Sequence, residues 1–166
     1  MDTAQFEHLK LFDNLTIAQS NLIRELFAPV EEYSGAVIFC QGDPAEFLYV
    51  VVEGEVLIEY KPDDGPMLTI AHIRTDGVVG WSAALSSPKY TSSAVCVTDC
   101  SLLRVSGADL RDFCRQHPET GSLLVERLAA VIAIRLRNTH GHVLALLEQG
   151  LRTSLKKSED AEHITT

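Results

Sequence analysis

Between residues 37 and 105 short apolar runs alternate with Gly- and Pro-bearing turns, and this alternation narrows the possible folds more than any other feature of the chain. Val37-Ile38-Phe39-Cys40 leads into the turn signal Gln41-Gly42-Asp43-Pro44. Residues 48–52 are closed by Glu53-Gly54-Glu55. Val56-Leu57-Ile58-Glu59-Tyr60 ends at Lys61-Pro62-Asp63-Asp64-Gly65-Pro66, which only a loop accommodates. Residues 67–73, 94–97 and 101–105 supply further runs. Segments this short are strands, and many of them at regular spacing predict a jelly roll or barrel of antiparallel strands.

Helical periodicity brackets this region. Residues 12–27 read as a helix, with Thr16 as its cap and Gln19 as the capping-box partner. Ile17, Leu22, Ile23 and Leu26 form its apolar face, and Pro29 stops it. At the other end Ser106 caps a helix through Asp109, Leu110, Phe113 and Cys114. His117-Pro118 breaks it, and Pro118 suits the first turn of the next helix, which runs to about Gly150. On that helix Val125, Ala129, Ile132, Leu136, Val143 and Leu146 fall on one stripe, with Thr139 as a polar member and Gly141 inside the pattern. Such a stripe serves either as a seam with a partner helix or as a face packed on its own barrel. The expected fold class is α+β: a jelly roll flanked by an N-terminal helix and two C-terminal helices. Residues 1–10 are an N-terminal extension, 11–150 the folded domain, and 151–166 a polar tail expected to be disordered.

A length of 166 residues suits one domain with a real core. The net charge is −9, and the fourteen Lys and Arg are scattered, so direct nucleic-acid binding is not expected. The apolar runs are far too short for a membrane span, and the N-terminus lacks the pattern of a signal peptide; the cytoplasm is the expected location. The four cysteines, Cys40, Cys96, Cys100 and Cys114, form no C-x-x-C pair. They read as buried small hydrophobes, with a redox or cluster role as the alternative. A cupin-type metal site needs several His and a carboxylate converging from neighbouring strands. The strand region has His72 alone, and His140 and His142 sit two apart on a helix, facing different ways. No catalytic triad pattern stands out, so the expectation is not an enzyme.

Gly80-Trp81-Ser82-Ala83-Ala84 carries the chemistry. It follows the turn at Asp76-Gly77 and offers a bend, a helix start and small side chains. The first amides of a helix lack internal partners and can hold an anion, and small residues let a ligand reach the backbone.

Four pieces recur in order: Leu11-Phe12 before the first helix; Val37-Ile38-Phe39 with Gly42-Asp43-Pro44, Leu48-Tyr49-Val50 and Gly54-Glu55-Val56; the Gly80 turn with Ala84-Leu85; and Asp112-Phe113 with His117-Pro118 opening a long helix. Together they resemble the cyclic-nucleotide-binding domain family, which includes catabolite-activator-type bacterial regulators, regulatory subunits of cyclic-AMP-dependent kinase and gated channels. The resemblance implies a ligand cassette, and here the chain departs from the pattern. The family's ribose-binding Glu follows the turn glycine, where this chain has Trp81. Its phosphate-binding Arg, counted back from Thr98-Asp99-Cys100, falls at Tyr90. A carboxylate fits a sugar diol and a guanidinium fork fits a phosphate; Trp and Tyr offer single neutral donors in their place. The expected ligand-binding set is Gly80, Trp81, Ser82, Ala83, Lys89, Tyr90, Thr91 and Ser92, lining one cavity between barrel and long helix. In it Lys89 acts as a point charge, and Trp81 and Tyr90 either clamp a planar ligand or fill a pocket that has lost one.

The expected function is a regulatory sensor that signals through its C-terminal helix; the alternative is a dimerisation or interaction module with a vestigial pocket. Candidate ligands are cyclic AMP, cyclic GMP or another small anionic or nucleotide ligand, with cyclic AMP bound weakly or not at all. The expected partner is a second copy, through residues 119–150. Transcription regulators of this family carry a winged helix-turn-helix beyond that helix, and the tail after Gly150 is too short for one. The output is therefore expected to run through a downstream protein not named by the sequence, or through self-association.

Overall fold

The computed structural model describes residue 6 and residues 8–138. The chain divides into compact units at residues 1–132 and 133–166. The first unit is a sandwich of two four-stranded sheets with helices on one side. Its strands are β1 (Ala28–Glu32), β2 (Val37–Phe39), β3 (Phe47–Glu53), β4 (Val56–Tyr60), β5 (Leu68–Ile73), β6 (Val78–Val79), β7 (Ser93–Cys96) and β8 (Cys100–Ser106). One sheet has the order β1-β8-β3-β6 and the other β2-β7-β4-β5, antiparallel throughout, which is the expected jelly-roll arrangement.

Two of these strands are absent from the apolar pattern. β1 contains Pro29, which reads as a stop because proline cannot donate to a ladder. The residue is tolerated because β1 lies at the edge of its sheet, paired with β8 alone. β6 is two residues long, too short to show a period.

A short 3-10 turn, Lys10–Phe12, precedes helix α1 (Ile17–Leu26). α1 is shorter than the expected 12–27, and its capping box forms: the Thr16 hydroxyl accepts the Gln19 amide at 3.2 Å, and the Gln19 side chain accepts the Thr16 amide at 3.0 Å. Helix α2 (Gly107–Gln116) starts at the Ser106 hydroxyl, which accepts the Asp109 amide at 2.9 Å. The chain bends at His117 and is helical again over 118–138, here called α3. The rest of the expected helix, with Thr139, His140, Gly141, His142, Val143 and Leu146, lies outside the described residues, as does the tail 151–166.

The β1-β8-β3-β6 sheet separates two cores. Toward the helices, Leu48, Val50, Leu103 and Val105 pack with Phe12, Ile23, Phe27, Leu110, Phe113, Leu124 and Leu128. Phe6 and Leu9, ahead of residue 11, are buried in the same cluster. Between the sheets, Tyr49, Val51 and Leu102 meet Val56, Ile58, Ala94, Phe39 and Tyr90. This follows the strand period: on β3, alternate residues face opposite cores. Fully burying one such Leu or Val contributes about 1.5–3 kcal/mol.

The cysteines are mixed rather than uniformly buried. Cys96 and Cys100 lie in the inter-sheet core, and burial pushes the Cys96 thiol up to about 12, leaving it unreactive. Cys40 is exposed and Cys114 intermediate, which corrects their reading as buried hydrophobes; Cys40 lies just past the end of β2, where the chain turns out toward solvent. The exposed His72 pairs with Glu55 at 2.5 Å, and that hydrogen bond is the main cause holding the Glu55 carboxyl below its ordinary value.

Candidate functional site: the Gly80 cassette

Gly80 follows β6 with φ +74°, in the left-handed region open to glycine. A Cβ there would lie 2.6 Å from the Phe47 carbonyl oxygen and 3.3 Å from both the Phe39 and Tyr90 rings. The bend therefore exists only because residue 80 has no side chain. Residues 81–86 form successive turns rather than the expected start of a regular helix. The amides of Ala83, Leu85 and Ser86 close back on Gly80, Trp81 and Ala83. Among the described residues no bond occupies the amides of Ser82 and Ala84, and these two N–H groups are the donors that a small anion could use.

The expected set does not converge on one surface. Gly80 and Tyr90 meet, as the 3.3 Å approach shows. Trp81 packs on the helix-side core and Tyr90 belongs to the inter-sheet core, so the aromatic clamp is not formed. The cause is the bend itself, which directs the residue after Gly80 away from the sandwich interior. Ser82 and Ala83 are buried, while Lys89 and Thr91 are exposed and Ser92 is half-buried. A cavity of about 490 Å³ opens on the α2 side of the cassette. Of the expected residues Ala83 lines it, together with Phe47, Ser86 and Arg111 among others.

Tyr90 is knitted into the sandwich. Its ring stacks on Phe39 with centroids 3.8 Å apart. Its hydroxyl accepts the Phe47 amide at 2.9 Å and donates to the Phe47 carbonyl at 2.7 Å. Its own amide and carbonyl bond to Asp43 and Gly42, joining the β2–β3 turn to the cassette. Burial raises the phenol above its ordinary value, so it stays neutral. A side chain held this way is a structural plug and leaves no free donor for a phosphate. A Tyr90→Phe variant leaves both Phe47 groups without their partner. It should lose about 1–3 kcal/mol of stability in urea unfolding; an unchanged midpoint would show that water replaces the hydroxyl at no cost.

The site also contains a residue that its sequence position does not announce. Arg111 of α2 reaches back to the cassette, where its Nη1 donates to the Ser86 hydroxyl at 3.1 Å and approaches the Ala83 carbonyl at 3.4 Å. Its partners are 25 and 28 positions away in the chain, beyond any local pattern.

The cyclic nucleotide-binding domain matches residues 31–117, just over half of the chain, and the chain belongs to that family. A CRP-like cAMP-activated global transcriptional regulator of Mycobacterium tuberculosis is 27% identical over 119 residues, covering 72% of this chain and 51% of that protein. The crystal structure of Thermus thermophilus catabolite activator protein superposes with a TM-score of 0.68 at 29% identity, covering 82% of this chain and 62% of that one. A cyclic nucleotide-binding domain from Methylobacillus flagellatus gives a TM-score of 0.76, covering 86% and 80%; at 18% identity it bears on the fold alone. The chain spans about half the length of the Mycobacterium tuberculosis regulator. The fold is thus the one expected from the sequence, and the family's regulators are its similar proteins.

Proposed function

We propose that this chain is a ligand-responsive regulatory module that passes binding at its cassette to helix α3. One observation carries the reading: Trp81 and Ala84, just past the cradle glycine, pack on the apolar cluster that contains Leu124 and Leu128 of α3. A ligand drawn onto the Ser82 and Ala84 amides moves the turn bearing both side chains. Close-packed cores respond to such shifts by switching between discrete arrangements, so the helix responds too. The relative from Mycobacterium tuberculosis, named as a cAMP-activated regulator, supports a regulatory role. The reading assigns no catalytic step.

The ligand is a small anion or nucleotide held by backbone amides, since Trp81 and Tyr90 supply neither the carboxylate nor the guanidinium of the family's cassette. Cyclic AMP and cyclic GMP bind weakly on this reading. The second reading, a pocket without a ligand, is favoured by the engagement of Tyr90 with Phe47. A thermal-shift screen with cyclic nucleotides and small anions separates the two, because a ligand specific to the folded state raises its melting temperature. A rise with any of them supports the sensor; no rise across the screen supports the interaction module.

The output is pairing with a second copy through residues 119–150. Leu124 and Leu128 turn inward, whereas Val125 is 47% exposed and Ala129 is also exposed. The first members of the apolar stripe are therefore distinct from the row that packs on the sandwich. Ile132→Glu should convert a dimer to a monomer in sedimentation at tens of micromolar, because a charge in a helix seam loses its water without gaining a partner. Val125→Glu should do the same without loss of folding. A monomeric unmutated chain at that concentration would overturn the pairing.

A further inference from the structure

We propose that the chain carries a second ligand site on the outer side of the cassette, for a small organic monoanion with a carboxylate head and a flat apolar body. The site is the cavity of about 490 Å³ lined by Glu46, Phe47, Ser86, Pro88, Ala108 and Arg111, with the remaining wall from neighbouring residues of the same turns. Its size is that of small-molecule sites, which are mostly apolar with a few placed polar groups. Here the apolar part is Phe47, Pro88 and Ala108.

The polar part is an arginine fixed before any ligand arrives. Nη1 of Arg111 is spent on Ser86 and Ala83, which ties the guanidinium to the cassette. Among the described residues its Nε and Nη2 donors have no acceptor. These two N–H groups form the planar fork that matches a carboxylate, and an arginine already immobilised loses little entropy on binding. The lining includes the start of α2, whose positive end adds to the attraction. The one open fork of Arg111 takes one carboxylate, and Glu46, the opposing charge in the lining, disfavours polyanions. A carboxylate on the Arg111 fork would tighten the hold of α2 on Ala83 and Ser86, so this site bears on the cassette from behind.

The test is a titration of the full chain with sodium benzoate, followed by amide NMR shifts and by melting temperature. Benzyl alcohol, of the same shape and no charge, is the control. Saturable shifts are expected at Ser86 and Ala108, with a rise of about 3–6 °C at tenfold excess over the dissociation constant. Arg111→Gln should weaken binding about tenfold or more. Because Arg111 also braces the cassette, Ala108→Asp provides a second variant. An acid in the first turn of α2 suits that helix end while repelling a carboxylate ligand, so the fold holds and benzoate binding drops by about tenfold. The proposal fails if no saturable shift occurs by roughly 20 mM benzoate, a very weak affinity. It also fails if benzyl alcohol binds equally, if both variants bind like the parent, or if the shifts centre on Ser82 and Ala84, which would place benzoate in the cassette.

Discussion

Gly80→Ala is expected to destabilise the protein by about 3 kcal/mol, from about 1–2 kcal/mol for the left-handed backbone and about 1–3 kcal/mol for overpacking. The φ of +74° accounts for the first part. The second comes from a methyl group 2.6 Å from the Phe47 carbonyl oxygen and 3.3 Å from two stacked rings. Retreat is blocked, because the Tyr90 hydroxyl holds that carbonyl at 2.7 Å and the Tyr90 ring rests on Phe39. The urea midpoint should fall with little change in slope. A loss below about 1 kcal/mol would mean that the cassette can move off the sandwich freely, against the packing described here.

Leu128→Ala and Val125→Ala should differ sharply although they lie three residues apart on one helix. Leu128 is 3% exposed and sits in the helix-side core with Leu124, Phe113 and Ile23; Val125 is 47% exposed. Truncating the buried leucine costs about 2–5 kcal/mol through lost burial and the cavity left behind. Truncating the exposed valine costs about 0.5 kcal/mol or less in the unpaired chain. Equal losses would show that α3 is rotated from the position described. A concentration-dependent loss for Val125→Ala would instead report its place in a seam between copies.

Local signals carried much of the fold in the sequence. The caps at Thr16 and Ser106 act over three residues, so spacing alone reveals them. Strands β2, β3, β4, β5, β7 and β8 stand out as apolar runs between turn residues. β1 was hidden by Pro29, whose meaning depends on an edge position that only the assembled sheet defines. On α3 the row Leu124, Leu128 and Val131 is as apolar as the stripe beside it, and the position of the sandwich decides which row is buried.

The cassette was legible as a place and less so as an arrangement. Gly80 and the odd residues at 81 and 90 are visible in order and spacing. The directions of Trp81 and Tyr90 are not, because a left-handed bend separates the first from the interior and the second is fixed by Phe47, 43 residues away. Arg111 gave no signal, since its role arises from tertiary contact alone.

Calorimetric titration of the chain with cyclic AMP tests the proposed function most directly: on that reading Trp81 and Tyr90 stand where the family resemblance implies a carboxylate and a guanidinium, and Tyr90 serves as a structural tyrosine instead. One lost bidentate charged contact costs on the order of 2 kcal/mol, more than tenfold in affinity, and on that reading two are lost. The account predicts binding no tighter than roughly 100 µM, or none measurable. A sub-micromolar dissociation constant would contradict it, and would require Tyr90 to leave Phe47 and some other group to take the phosphate.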